Sequence, residues 1–557
     1  MKKNIVSFLL TMFLLLLAAV SIKAQSNIES RIDSLFSHFN EKTPGYAVAI
    51  VQNGKLLYQQ GYGMANLEYD EPITPKTVFH LASVSKVFTS FAIHQLIARK
   101  KLAPDDSVRK YFPGFPSFNY PVTIKNLLQH SSGLRDQWVL FSLCGIEEPS
   151  LITQDMIVSV IKRQTQLNFR PGDRFMYSNS GYTALAEIVK NCSQLSFPDY
   201  MVQNIFQPAG MNNSFINFDY QAVVKHKACS YAATDDSWIY KKQELNYPNY
   251  GATSMFSSVE DLGKWLIELS NLKNGSKDIL MKMAERAILN NGDTSIYGSG
   301  IFNIKYKGLT RIFHDGVDAG YRSFIGYFPD ENLGIAVLTN LGDADPTFRA
   351  MQIADIVLNL PPNSRVVLQP PSAAYHNLPE AKFPSYTGSY ETPGDSLIKI
   401  FQLGSQLFMK RPRISLPDTL RSINDSVFYG YADVLLTFKN KSLNKYNTIS
   451  FKGRFTNYQA KRVEYPVYSE TELNKFTGTY YSDELQTAYD VVNVNRQLYL
   501  RHLINGDIKM EVRSRNKFST KWSTANRLEF LNDKKGEMSG LFMNNDRALN
   551  NLFRKIK

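Results

Sequence analysis

Val78-Phe79-His80-Leu81-Ala82-Ser83-Val84-Ser85-Lys86-Val87-Phe88 joins an apolar run to a helix-forming one, with a serine and a lysine at the junction. Val84, Val87, Phe88, Phe91 and Ala92 recur at helical spacing, so residues 83–99 read as an amphipathic helix that opens at Ser83. Ser-x-x-Lys occurs seven times in the chain, so the tetrad alone carries little; the other copies start at Ser107, Ser159, Ser270, Ser396, Ser442 and Ser514. The setting of Ser83 separates it from them. A serine in a first helical turn lies near free backbone N–H groups and the positive helix end. Lys86, three residues on, shares its face. A desolvated lysine there can lose its proton and accept one from Ser83.

Two further motifs follow in chain order. Phe169-Arg170-Pro171-Gly172-Asp173 turns the chain before Tyr177-Ser178-Asn179, which aims a phenol and an amide at one cavity. Tyr-x-Asn also occurs at Tyr247 and Tyr375, whereas His314-Asp315-Gly316 is the single His-x-Gly of the chain. A glycine behind a polar head on an edge strand lets a substrate approach the backbone. The chain holds no HExxH, GxxxxGK or GxSxG, which excludes the simplest zincin, P-loop and α/β-hydrolase readings. Cys144, Cys192 and Cys229 lie in no metal-ligand spacing and allow at most one internal disulfide. No cofactor or metal is expected.

Around these motifs the pattern is mixed. Tyr46–Val51, the Asn53-Gly54 turn and Lys55–Tyr58 read as a β-hairpin. Thr123 caps a short helix that ends near His130 with Gly133 as its stop, and His130 is read as structural. Gly334–Leu338 reads as a buried strand. Strands at both ends with helices between predict an antiparallel sheet packed by helices over residues 25–365. After Pro361-Pro362 and Pro370-Pro371, short alternating strands replace helical patterns. Phe383-Pro384-Ser385-Tyr386-Thr387-Gly388-Ser389-Tyr390 matches Leu473-Asn474-Lys475-Phe476-Thr477-Gly478-Thr479-Tyr480, and Gln406–Lys410 matches Gln497–Arg501. This repeat predicts two related β-domains, 372–462 and 466–557, each a small barrel or sandwich.

In their order, Ser-x-x-Lys, Tyr-x-Asn and His-x-Gly resemble the serine β-lactamase and penicillin-binding protein superfamily, in its class C β-lactamase, D,D-peptidase and esterase branch (peptidase family S12-like). The resemblance covers roughly residues 28–360. It extends to Thr123-Ile124-Lys125-Asn126-Leu127-Leu128-Gln129-His130-Ser131-Ser132-Gly133-Leu134, to Phe206–Met211 and to Gly334–Asn340. It implies an α/β sandwich with Ser83 at the start of a central helix, followed here by the two all-β domains. It also implies the roles. Ser83 is the acylated nucleophile, Lys86 helps deprotonate it, and Tyr177 is the general base and later the acid for the leaving group. Asn179 orients substrate, and His314 stands where the family has the lysine of Lys-Thr-Gly, ahead of Gly316. The backbone N–H groups of Ser83 and Val317 form the oxyanion hole. Histidine is mostly neutral at pH 7, which leans away from β-lactamases and toward esterase or aminopeptidase relatives. The tandem β-domains resemble the layout of D-aminopeptidases.

Lys2 and Lys3, the apolar run Ile5–Val20 and Ser21-Ile22-Lys23-Ala24 read as a signal peptide cut after Ala24, with no transmembrane segment remaining. Of the net charge of +13, residues 371–557 carry +10, from 28 Lys and Arg against 18 Asp and Glu. An exported chain with that basic end is expected to meet acidic envelope polymers or lipid headgroups and no nucleic acid. The expected function is an exported acyl-serine hydrolase of small peptides, amides or esters, wall-derived peptides first, located in the periplasm or outside the cell. The alternatives are a carboxylesterase and a non-catalytic envelope-binding protein that keeps the fold.

Overall fold

The computed structural model describes residues 27–147, 150–234, 239–270, 275–361, 375–393, 397–411, 417–430, 434–452 and 457–557. The leader expected over residues 1–24 lies outside them. No helix among the described residues is long and apolar enough to cross a membrane. The chain divides into two compact units, residues 1–362 and 363–557.

The first unit is built on a six-stranded antiparallel sheet. Its order is Phe302–Asn303, Ile312–Asp318, Tyr321–Phe328, Leu333–Thr339, Tyr46–Gln52 and Lys55–Tyr62. The predicted hairpin forms, with Asn53 (φ +53°) and Gly54 (φ +73°) in the left-handed turn its sequence favours. The first strand pairs on its other side with Leu333–Thr339, from Tyr46↔Thr339 to Gln52↔Leu333. On one face, Ile32 and Phe36 of a helix over 27–36 and Ala350, Met351, Ile353 and Ala354 of the Pro346–Val357 helix pack against Val48, Ile50, Phe324, Ile335 and Val337. On the other face lies the Val259–Ser270 helix, whose Leu266 abuts Gly334. Its Trp265 packs on Phe88 and Phe91, with ring centroids 4.9 and 4.8 Å apart. Each aromatic side chain so buried contributes about 2–3 kcal/mol.

Those two phenylalanines belong to the Ser85–Ala98 helix, which is buried nearly all round rather than amphipathic. Its polar residues face a loop that supplies partners. Thr89 Oγ1 donates to the Gly251 carbonyl (2.8 Å), and Ser85 Oγ accepts from the Met255 N–H (3.2 Å). Buried polar groups satisfied in this way cost little. Thr123 caps the Ile124–Leu128 helix in a reciprocal box with Asn126. That helix is ended by His130 in the left-handed region (φ +53°), not by Gly133. Gly133 is needed because a side chain there would fall on the Phe169 carbonyl.

The second unit is all-β. Among the described residues, eight strands from Gly388–Glu391 to Asn457–Val463 close into a barrel as the first pairs with the last. A nine-stranded sheet over 478–555 follows; its two edge strands, Gly506–Lys509 and Glu511–Ser514, are consecutive in sequence, so it is nearly closed as well. The internal repeat has a structural counterpart. Tyr390 donates to the Tyr386 carbonyl (2.8 Å), and Tyr480 donates to the Phe476 carbonyl (2.7 Å). Gly388 and Gly478 hold φ of +148° and +139°, where a side chain would collide with Arg462 in one and the Lys557 carbonyl in the other.

Candidate active site

Ser83 lies in a single 3₁₀ turn, Ala82–Val84, just ahead of the Ser85–Ala98 helix. Ala82, immediately before it, is buried in the left-handed region at φ +49°, a conformation that costs a non-glycine residue roughly 1–2 kcal/mol. The surroundings hold that strain in place. The Leu81 N–H donates to Met255 O (2.8 Å), and the Leu81 carbonyl accepts from the Val84 N–H (3.1 Å) and Ser323 Oγ (2.6 Å). Strain fixed by several partners around a polar, half-buried side chain is a mark of functional sites.

The structure brings together Ser83, Lys86 and Tyr177. Lys86 Nζ donates to Ser83 Oγ at 3.0 Å and to the Ala252 carbonyl at 2.6 Å. Tyr177 OH donates to the same Ser83 Oγ at 3.0 Å. Lys86 is fully buried, its Nζ 5.0 Å from the centre of the Tyr177 ring and 5.7 Å from that of Tyr182. One hydroxyl oxygen thus sits between an amine and a phenol, each within proton-transfer distance.

The other expected residues take different places. Asn179 begins the Asn179–Ser193 helix, and both its backbone N–H (2.8 Å) and its Nδ2 (2.9 Å) donate to Asp136 Oδ2. Asp136 is itself buried and caps the Gln137–Leu143 helix through the Trp138 N–H (3.1 Å). The Asn179 amide nitrogen thus joins two helix starts.

His314 is buried, not presented to a cleft. Its Nδ1 donates to the Asp315 carbonyl (2.6 Å), and its Nε2 accepts from Tyr297 OH (3.1 Å), which fixes the neutral tautomer. Burial, and then the nearby Lys86 charge, push the imidazole down to about 3, against the opposing effect of the Asp315 carbonyl. Burial likewise raises the Tyr297 phenol. His314 is therefore a neutral ring behind Tyr177, 6.3 Å between ring centroids.

Gly316 also has another reason than substrate approach. A side chain there would fall on the Leu81 carbonyl and Ser323 Oγ, and 3.0 Å from the Ala82 methyl, so its bareness lets the Ser83 turn dock on the sheet. Val317 follows on a stretch whose outer edge is open among the described residues, because Phe302–Asn303 pairs only with Phe313 and Ile312. Across the sheet it faces Arg322. The strand ends at Asp318, which accepts from His80 Nε2 (2.9 Å), Thr253 Oγ1 (3.2 Å) and Tyr247 OH. Burial alone would raise this carboxyl; the His80 bond and charge, with Tyr247 and Thr253, hold it below the usual range.

Asp136, Tyr297 and the Ala252 carbonyl carry no sequence signal, since each meets a partner 17 to 166 residues away in the chain. His130, read as structural, also packs against Tyr177 (ring centroids 4.1 Å). None of the three cysteines is in a disulfide among the described residues.

The neutral His314 gives an expected pH response. The native ring stays neutral to about pH 3, whereas in the unfolded chain it takes up a proton near 6.5. Acid therefore favours the unfolded state. The stability is fully present above about pH 6.5 and is lost progressively toward pH 3. Between pH 7.5 and 5 the loss from one such group is about 2 kcal/mol. Chemical denaturation of wild type and His314→Gln at both pH values checks this: the variant should lose less on acidification. Equal losses would assign the acid sensitivity elsewhere, His94 being a half-buried histidine lowered to about 4 by burial and then Lys282.

The sequence model of the family described as "Beta-lactamase" matches residues 32–358, which includes every residue of this site. "Protein flp" of Staphylococcus aureus (strain COL) is 29% identical over 326 residues, 56% of this chain and 63% of that protein. The match thus spans under two thirds of the staphylococcal relatives. "Penicillin-binding protein 4*" of Bacillus subtilis (strain 168) is 29% identical over 333 residues, 57% of this chain and 72% of that protein. Among solved structures, the octameric penicillin-binding protein homologue from Pyrococcus abyssi superposes with TM-score 0.54 at 23% identity, over 79% of this chain and 99% of that one. EstCE1, a hydrolase with promiscuous acyltransferase activity, gives 0.50 at 21% identity, over 60% and 99%. These two show the fold. With the family match running through the sheet, the strained turn and the serine, lysine and tyrosine it gathers, the chain belongs to the beta-lactamase family.

Proposed function

We propose that the protein is an exported serine hydrolase that cleaves a small peptide, amide or ester through an acyl-enzyme on Ser83. The observation that carries this is the Ser83 Oγ within 3.0 Å of both Lys86 Nζ and Tyr177 OH. As Oγ attacks a carbonyl carbon, its proton passes into the Lys86–Tyr177 pair. With Lys86 as the ammonium, Tyr177 acts as base in its phenolate form, which the adjacent positive charge stabilises; it takes the Ser83 proton and becomes the neutral phenol. Tyr177 then returns the proton to the leaving amine or alcohol. Water attacks the ester on Ser83 in the second half and restores the hydroxyl. The backbone N–H groups of Ser83 and Val317 are assigned to the oxyanion.

The substrate reading follows from charge. With His314 neutral and buried, the position that would grip a carboxylate holds no cation, which favours amides and esters lacking an acidic group there. The name of the Bacillus relative favours wall-derived D-amino-acid peptides as the first class, with carboxylic esters the alternative. The N-terminal basic and apolar run supports export. The second unit is proposed to hold the enzyme near anionic envelope material. Its 439–445 hairpin turn exposes Lys439, Lys441 and Lys445 around Leu443, which is 97% exposed at a left-handed φ of +44°. Cations around a protruding apolar tip suit an anionic surface.

One assay tests both parts. The full chain is incubated with p-nitrophenyl esters, D- and L-amino-acid anilides, D-Ala-D-Ala peptides, nitrocefin and an anionic wall fragment, at 0.05 and 0.5 M salt. Turnover of small neutral substrates is expected to be salt-independent, and that of the wall fragment to fall as screening shortens to a few Å. No turnover of any substrate and no covalent serine adduct would overturn the hydrolase. Salt-independent cleavage of the wall fragment would overturn the anchoring role.

A further inference from the structure

His130 touches Tyr177 in three ways that converge on one result. Its carbonyl accepts from the Met176 N–H (2.8 Å), and its Nδ1 accepts from the Ser178 N–H (3.2 Å). The two amides that flank Tyr177 are thus both held by one residue. Its ring lies over the Tyr177 ring, with centroids 4.1 Å apart and planes at 34°. His130 can do all three because its backbone is left-handed (φ +53°), which turns carbonyl and ring toward the same strand of chain. The ring is itself boxed by Tyr182 (5.0 Å), Tyr297 (4.8 Å) and Phe175 (5.9 Å). An Nδ1 that accepts from a backbone N–H carries no proton, so any ring proton sits on Nε2.

We infer that His130 is a positioning residue that clamps the backbone on both sides of Tyr177 and thereby holds the phenol at Ser83. The inference rests on the reading of Tyr177 as the proton carrier. His130 exchanges no proton with substrate. Its effect is geometric: the Tyr177 OH must stay within 3.0 Å of Ser83 Oγ, and a misplacement of about 1 Å in such a pair costs on the order of 10²-fold in rate. This is a different assignment from a helix stop. A residue that only ended the Ile124–Leu128 helix would need its backbone and not its Nδ1.

The variants separate those roles. His130→Phe keeps a ring against Tyr177 and deletes the acceptor. His130→Asn loses the ring, keeps an acceptor near the Nδ1 position and tolerates the left-handed backbone. With a small p-nitrophenyl ester, His130→Phe is expected to lose about 10²-fold in kcat with KM within about twofold, and His130→Asn to recover to within about tenfold of wild type. A second probe leaves His130 intact. Replacing Ser178 by its α-hydroxy acid removes only the N–H that Nδ1 accepts, and should lower kcat about tenfold at constant KM. Tyr177→Phe is the control. If it abolishes turnover while His130→Phe and the Ser178 backbone variant both keep the wild-type kcat, the clamp is overturned and the role of Tyr177 stands. Equal loss in His130→Phe and His130→Asn, with melting temperatures lowered alike, would overturn it in favour of a packing role. If Tyr177→Phe keeps the wild-type rate, the proton role falls, and this inference with it.

Discussion

Ser83→Ala is expected to lower turnover of any substrate by roughly 10⁴-fold or more, with no stable acyl adduct by mass spectrometry. The size follows from what the oxygen does. In the proposed mechanism it is the atom that attacks, and in the structure it is the atom on which the Lys86 and Tyr177 bonds meet. Without it the amine and the phenol face each other with nothing to deprotonate. The fold should persist. The turn is held by the Leu81 N–H to Met255, the Leu81 carbonyl to Val84 and Ser323, and the fit of Gly316, none of which uses the Ser83 side chain. Lys86 Nζ also keeps the Ala252 carbonyl. Unchanged turnover in a folded Ser83→Ala protein would sink the covalent mechanism.

Lys86→Met and Tyr177→Phe should each slow acylation by about 10²–10⁴-fold, the range for loss of a positioned proton carrier. Methionine suits position 86 because the side chain is fully buried, and alanine would add a cavity cost to the catalytic one. Both residues serve the same proton on the same oxygen, so the double variant should be nearly as active as the weaker single one. Burst kinetics with an ester whose acylation is visible would measure all three. A double variant that lost the product of the two single effects would mean independent action, and the shared path would be wrong. A lysine at position 314 bears on the same pair. It would add a second buried cation beside Lys86, so Lys86 rather than substrate would feel it first.

How much of this could be read from the chain depends on the range of each interaction. The Asn53-Gly54 hairpin and the Thr123 cap are decided within a few residues and form as their sequences suggest. Ser83, Lys86 and Tyr177 were legible as motifs. The Asp136 partner of Asn179 was not legible, because that carboxylate lies 43 residues away and has no pattern linking it to Tyr-x-Asn. The burial of His314 was not legible, because sequence does not show what covers a strand. The loop carrying Tyr297 buries the ring and keeps it neutral. The Ser85–Ala98 helix looked amphipathic because Ser85, Lys86, Thr89 and Ser90 mark a polar face. Of these, Ser85, Lys86 and Thr89 are covered by carbonyls and amides of residues 251–255, which lie more than 150 residues downstream.

The pairing of Tyr46–Gln52 with Leu333–Thr339 sets an order in time. The strand made first has its central neighbour made last, so the sheet cannot close until residue 339 has left the ribosome. At 5–20 residues per second that takes roughly 17–70 s. During that interval Ser83 and Lys86 exist, but Gly316, Ser323 and the 251–255 loop that shape and charge them arrive only late. The nascent chain therefore carries its nucleophile without the means to use it. Closure over nearly three hundred residues is also a slow kind of contact to make. The Ser83 turn is complete only when the last central strand docks.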